Sequence, residues 1–112
     1  MNPEISGMGS LSRLLQAASL RHRVIAQNVA NVNTPGYHRL EVRFNDNLAK
    51  AVSGDLSAPQ VVVADGPERV DGNTVDIDQE MNDLSKNALL YQAAAQILAS
   101  RMASMRSAIT GR

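Results

Sequence analysis

The sequence predicts a mainly α protein, with long N- and C-terminal helices pairing as a coiled coil and a small irregular or β middle segment. Two segments near opposite ends carry apolar residues at alternating steps of four and three, the spacing of a seam that faces another helix. Between them, turn residues cluster and only two short strand-like runs appear. Composition agrees. The 112 residues are enough for one small domain, and the aromatics are only Tyr37, Phe44 and Tyr91. Ala, Leu, Val, Ile and Met must therefore supply the packing, which suits helix against helix.

Residues 1–10 read as a flexible N-terminus, because Gly7 and Gly9 flank Met8. Ser10 can cap a helix over residues 11–33 by accepting a free N–H of its first turn. The seam of that helix runs Leu11, Leu15, Ala18, His22, Ile25, Val29, Val32, and His22 alone breaks its apolar character. Leu14, Ala17 and Ala26 widen it. The helix should stop near Asn31 to Asn33, since asparagine tolerates the left-handed conformation of helix ends. Pro35 pushes Thr34 out of the helical region, and Thr34, Pro35, Gly36 and Tyr37 fit a type II turn.

The middle segment, residues 34–75, opens with alternation at Leu40, Val42 and Phe44, a half-buried strand signal. One or two helical turns are expected over 45–52, a loop over 53–60, and a second short strand over 61–65. Asp71, Gly72 and Asn73 form a further turn. A lone two-stranded hairpin is marginal in water, so this segment needs support from elsewhere.

The second helix, residues 76–110, has the clearest pattern. Asp76 and Gln79 match a capping box, and Asp78 and Glu80 place negative charge where the helix dipole favours it. The seam runs Ile77, Met81, Leu84, Ala88, Tyr91, Ala95, Leu98, Met102, Met105, Ile109. Its length, about 50 Å at 1.5 Å per residue, exceeds the first helix by about half. The two helices make one coiled-coil domain, and the surplus seam asks for a partner from another chain.

Several function classes find no support. The 11 basic and 11 acidic side chains balance, and no basic run exceeds Arg21-His22-Arg23, so a nucleic-acid partner is not expected. The absence of cysteine removes disulfides, cysteine-based zinc sites and a thiol nucleophile. No stretch approaches the ~20 apolar residues of a membrane span, and the first residues lack the basic start of a cleaved signal. His22 and His38 have no second ligand at a fitting spacing. Residues 71–82 resemble a calcium loop only superficially, because Asp76 and Asn82 stand where Gly and Glu are required. No nucleophile elbow or phosphate loop is present. The residues point to an assembly protein, not an enzyme, with no cofactor, metal or small-molecule substrate.

Residues 25–37, IAQNVANVNTPGY, resemble the N-terminal signature of bacterial flagellar rod, hook and hook-filament axial proteins. Residues 71–92, with their DGN-x-VD-x-D-x-EM run, resemble the proximal rod members of that family. The resemblance spans about residues 11–109. It implies subunits that pair their terminal helices into the inner tube of an axial assembly, transmit torque from motor to hook, and leave by the flagellar type III export apparatus. Its implied place is the base of a periplasm-spanning rod. There the partners would be other copies, other rod proteins, the adaptor FliE and the membrane ring.

On that reading the subunit interface comprises Leu11, Leu15, Ala18, Ile25, Asn28, Val29 and Asn31 of the first helix. Met81, Leu84, Ala88, Tyr91, Leu98, Met102, Met105 and Ile109 represent the second. Asn33, Pro35, Gly36 and Tyr37 are expected at the joint between helix and middle segment, and Asp71, Gly72 and Asn73 at the turn before the second helix. Asn28, Asn31 and Asn33 act between subunits or cap the helix locally. The competing class is a generic coiled-coil adaptor or export-associated chaperone, which gives no reason for the Thr-Pro-Gly-Tyr corner.

Overall fold

The computed structural model describes residues 3–43 and 59–111. Helix α1 spans Pro3–Ala30, strands β1 and β2 span Leu40–Arg43 and Gln60–Val63, and helix α2 spans Ile77–Thr110. The helical turns expected over 45–52, the loop over 53–58 and Phe44 lie outside the described residues.

The first helix starts earlier than its apolar pattern suggests. Pro3 suits the first helical position, where a missing N–H costs nothing. A glycine costs only about 1 kcal/mol in a helix interior, so Gly7 and Gly9 weaken this turn without ending it. Ser10, expected as the cap, lies inside the helix. The helices are therefore 28 and 34 residues long, much closer to equal than expected.

α1 and α2 run antiparallel. Asn28 near the end of α1 meets Glu80 near the start of α2, and Asn87 further along α2 reaches back to Ala18. The molecule is elongated and thin, with extents of 64 × 30 × 14 Å. Its core is small: Ala17, Ala18, Val24, Ile25 and Ala94 between the helices, with Val42, Ala64 and Val75 beneath the middle segment.

α1 ends because its last carbonyls are claimed by other groups. The Asn31 N–H divides between the carbonyls of Gln27 and Asn28, each at 3.1 Å, and the Val32 N–H bonds back three residues to Val29. This tightening is usual in a last helical turn. The turn after it has the expected form, with Gly36 at φ 74° and the Tyr37 N–H donating to the Thr34 carbonyl at 3.3 Å.

The distant cap on this corner comes from the Asp-Gly-Asn turn. The Asn73 side-chain amide donates to the carbonyls of Asn31, Val32 and Thr34 at 2.9, 3.2 and 2.8 Å. Its Oδ1 accepts the Val75 N–H at 2.7 Å, and the residue is fully buried. The Arg69 guanidinium also donates to the Val32 carbonyl. The Gly36 N–H donates to the Asp71 carbonyl at 2.8 Å. Gly72, at φ 81°, adopts a conformation that L side chains rarely take, and a Cβ there would sit 3.4 Å from Gly36 Cα.

β1 and β2 pair antiparallel, with Leu40 opposite Val63 and Arg43 opposite Gln60. The second strand sits one residue earlier and ends sooner than the valine run implied. The hairpin gains support in two places. The Asn28 side chain bonds both backbone groups of Leu40, donating to its carbonyl at 2.8 Å and accepting its N–H at 2.9 Å. It acts there as a third strand's peptide would. The chain before α2 adds a second tie, with the Thr74 N–H on the Tyr37 carbonyl and the Arg39 N–H on Thr74 Oγ1.

α2 opens on Asp76, whose Oδ1 accepts the N–H groups of Asp78 and Gln79 at 3.0 and 3.4 Å. It closes on Gly111 in the left-handed conformation at φ 72°.

The Asn73 cap can be tested directly. Asn73→Ala should lower stability by about 1–3 kcal/mol, because the buried Val75 N–H loses its acceptor and three carbonyls lose one of their donors. Asn73→Asp should cost more, since it turns a carboxylate toward three carbonyl oxygens while keeping the same volume. Urea unfolding of the two variants gives the order.

Candidate functional site: a buried polar joint and an exposed helical stripe

Asn28, Tyr37, Arg39 and Glu80 meet where α1, β1 and α2 converge. Glu80 and Asn28 are both fully buried. Arg39 Nε donates to Glu80 Oε1 at 2.9 Å, and Asn28 Nδ2 donates to Glu80 Oε2 at 3.2 Å. The Tyr37 hydroxyl donates to Asn28 Oδ1 at 3.0 Å. Further out, Arg39 approaches Glu41 at 3.8 Å and Asp83 at 3.9 Å. Asn28 thus uses both amide hydrogens and two bonds to its oxygen, which satisfies the side chain. Burial, and secondarily the charge on Glu80, raises the Tyr37 pKa above its ordinary value. The phenol stays a neutral donor, the form its bond to Asn28 uses.

This cluster changes the assignment of the asparagines. Asn28, expected at a subunit interface, is spent wholly inside the chain. Asn31 is half-buried and caps locally: its Nδ2 donates to the Gln27 carbonyl at 2.8 Å, and its Oδ1 accepts the Thr34 hydroxyl at 3.1 Å. Asn33 and Pro35 are exposed, and Tyr37 turns its hydroxyl inward. Gly36, Asp71, Gly72 and Asn73, two turns far apart in sequence, meet here, with the Gly36 N–H on the Asp71 carbonyl.

The helix seams also shift. On α1, Ala18 and Ile25 are buried, Leu11, Leu15 and Val29 are half-buried, and His22 faces outward. On α2 the face turned inward is Glu80, Leu84, Asn87, Ala94 and Leu98. The expected seam shares Leu84, Leu98 and half-buried Ala95 and Met105 with that face, while Glu80, Asn87 and Ala94 lie one residue before the expected Met81, Ala88 and Ala95. Ile77, Met81, Tyr91, Met102 and Ile109 stay 39–82% exposed, and Ala88 is exposed with them. Leu89, Leu90 and Ile97 are exposed as well, away from this stripe around the helix. No comparably exposed large apolar side chain is found on α1 among the described residues.

Sequence reasoning missed Glu80, Asn87, Arg39 and Thr74 as structural residues. A signal existed: Glu80, Asn87 and Ala94 recur every seven residues beside Leu84, Tyr91 and Leu98. It was hidden because a seam counted only by apolar residues rejects a buried acid and amide.

Glu80 is held by partners and has no reactive group opposite it. His38 lies on the surface, 4.0 Å from Glu68. Among the described residues, no group of three potential ligands could hold a metal ion. No helix among them is long and apolar enough to cross a membrane. What the structure offers is a rigid joint and an uncovered helical face.

Comparison with known proteins gives this architecture its class. Residues 11–38, from the first seam through the corner, match the family described as flagella basal body rod protein. A Bacillus subtilis relative named flagellar basal body rod protein FlgB is 29% identical, covering 91% of this chain and 92% of its own. The Borrelia hermsii protein of that name is 30% identical over 87% of this chain and 90% of its own. That of Salmonella typhimurium is 29% identical over 87% and 88%. The chain belongs to the FlgB family of flagellar basal body rod proteins.

The joint makes a clear stability prediction. Arg39→Met should destabilise the fold by about 3–5 kcal/mol, because Glu80 is left buried without its cation. Adding Glu80→Met should recover much of that loss, since a buried pair contributes little beyond what apolar packing can supply. Thermal unfolding of the single and double variants measures the coupling.

Proposed function

We propose that this chain builds the flagellar rod by packing its terminal helices against those of neighbouring subunits, with α2 supplying most of the contact. As a member of its family it is a structural component of the basal-body rod. The observation that carries the finer reading is the apolar stripe on α2, from Ile77 to Ile109, left uncovered by α1. Exposed apolar surface of this extent marks a place for a partner. A two-helix layer has no second layer to cover that face, whereas a tube of such layers would.

The same reading makes the rod a torque-bearing part between motor and hook, spanning the periplasm. It includes delivery by the flagellar export apparatus without a cleaved signal, and contacts near the base with the adaptor FliE and the membrane ring. It assigns the chain no catalytic role. Packing between subunits also stabilises helices that bury little apolar surface alone. The adaptor or chaperone reading is not favoured, because the relatives named as rod proteins match over most of the chain.

Met102 and Ile109 are 52% and 82% exposed, so replacing both with lysine should leave the melting temperature of the purified chain within about 2 °C, as expected of surface substitutions. In a strain relying on this variant, motility and rods in isolated basal bodies should be lost. Normal motility with the doubly charged α2 would contradict the proposal. A secretion assay checks the export arm, with the chain expected outside the cell only when the flagellar export machine is intact.

A further inference from the structure

The charges of the helical body are one-sided. Residues 5–38 and 84–111 contain no aspartate or glutamate, yet they hold Arg13, Arg21, Arg23, Lys86, Arg101 and Arg106. Arg106 differs from the other cations by its place on the exposed apolar stripe. It follows Met102 by four residues and precedes Ile109 by three, the spacing that sets all three on one helical face. All three are exposed. Among the described residues, Arg106 takes part in no ion pair.

α1 does not reach this part of α2. Ala18 lies opposite Asn87. α1 begins fifteen residues before Ala18, whereas α2 runs twenty-three residues past Asn87. α2 therefore overruns α1 by about eight residues, or about 12 Å, and Arg106 and Ile109 lie in that overrun.

A partner that covers Met102 and Ile109 also strips the water from Arg106. A guanidinium buried without an anion is strongly destabilising, so the occupant must bring a carboxylate among its apolar residues. The stripe runs along one helix from Ile77 to Ile109, about 48 Å, a length and shape that a second helix matches. The start of α2 shows a surface of the required kind. Ile77 and Met81 are exposed there, and Asp78, exposed and in no ion pair among the described residues, lies three residues before Met81.

We propose that Arg106 forms an ion pair with a carboxylate of a neighbouring rod subunit, carried on an apolar helix face like the one that Ile77, Asp78 and Met81 make here. The apolar stripe supplies adhesion, and Arg106 selects the partner. Two second halves of α2 laid side by side in register would set cation against cation, so the same residue rejects that pairing. The inference rests on the rod reading above and adds to it the chemistry of the partner.

Arg106→Leu tests for the carboxylate. The purified variant should melt within about 2 °C of the wild type, because the position is exposed and unpaired in the subunit. A strain carrying it should assemble flagella on at least about tenfold fewer cells, since the partner's carboxylate is left buried without a cation. Arg106→Glu should lose assembly as well, and Arg106→Lys, which keeps the charge, should retain it. Normal assembly with Arg106→Leu would overturn the proposal, because a purely apolar contact gains from that change. A loss with Arg106→Lys as large as with Arg106→Glu would overturn it too. So would a clearly lowered melting temperature of Arg106→Leu, because Arg106 would then be serving the monomer.

Arg106→Lys also identifies the occupant. In isolated basal bodies a carbodiimide joins the new amine to a carboxylate in direct contact, forming an amide while the reagent takes up the water lost. Mass spectrometry should place the other end on an aspartate or glutamate within a helix of another rod subunit. A bond to Glu4 of the same chain, a bond to a protein outside the rod, or no bond would each refute the pairing. The underlying rod reading fails separately, if deleting the chain altogether leaves flagella intact.

Discussion

The structure depends on one buried carboxylate. Glu80 has no solvent exposure, so its charge must be met inside the protein, and among the described residues Arg39 on one side and Asn28 on the other do so. Arg39 enters β1, Asn28 sits near the end of α1, and Glu80 opens α2. Satisfying one ion therefore fixes three elements relative to one another. Asn28 extends the constraint by gripping both backbone groups of Leu40 and by accepting the Tyr37 hydroxyl. In a chain with so little apolar core, this polar cluster does the orienting that large side chains do elsewhere. A buried pair of this kind contributes more to a unique geometry than to net stability.

The second constraint is the closure of the corner by Asn73. Two turns far apart in sequence, Thr-Pro-Gly-Tyr and Asp-Gly-Asn, meet as a single unit. The donors of one satisfy the carbonyls that the end of α1 leaves free. Because Gly36 and Gly72 bring the two backbones together, the segment entering α2 is locked to the segment leaving α1. The joint and the carboxylate cluster share Tyr37 and are tied by Thr74, which bonds the Tyr37 carbonyl and the Arg39 N–H, so they form one continuous base. Everything beyond them along α2 is a simple two-helix layer with one face open.

Much of this was legible in the residues. The two helices, the type II turn at Gly36 and the Asp76 cap follow from spacing and backbone chemistry, whereas nothing local shows that the Thr-Pro-Gly-Tyr and Asp-Gly-Asn turns meet. The seam of α2 was legible only in part. Counting apolar residues located Leu84 and Leu98 correctly but preferred Met81 and Ala88 over Glu80 and Asn87. An isolated carboxylate on a helix reads as solvent-facing until its cation is found just before a strand, forty-one residues earlier. Asn28 was singled out but assigned outward, because nothing local shows that Leu40 and Tyr37 return to it. The start of α1 was obscured by two glycines whose local cost is too small to break a helix.

The division of labour that results is the central claim: polar groups build the joint, and the apolar face of α2 builds the assembly. Because the chain has no cysteine, thiol labelling at single introduced positions measures this directly. Met102→Cys and Ile109→Cys should react readily in the purified chain and become protected in intact basal bodies. Ser12→Cys and Arg23→Cys, on exposed positions of α1, should show much less change. If the α2 positions stay fully reactive in the assembled rod, the apolar stripe is not where the subunits meet and the account is wrong.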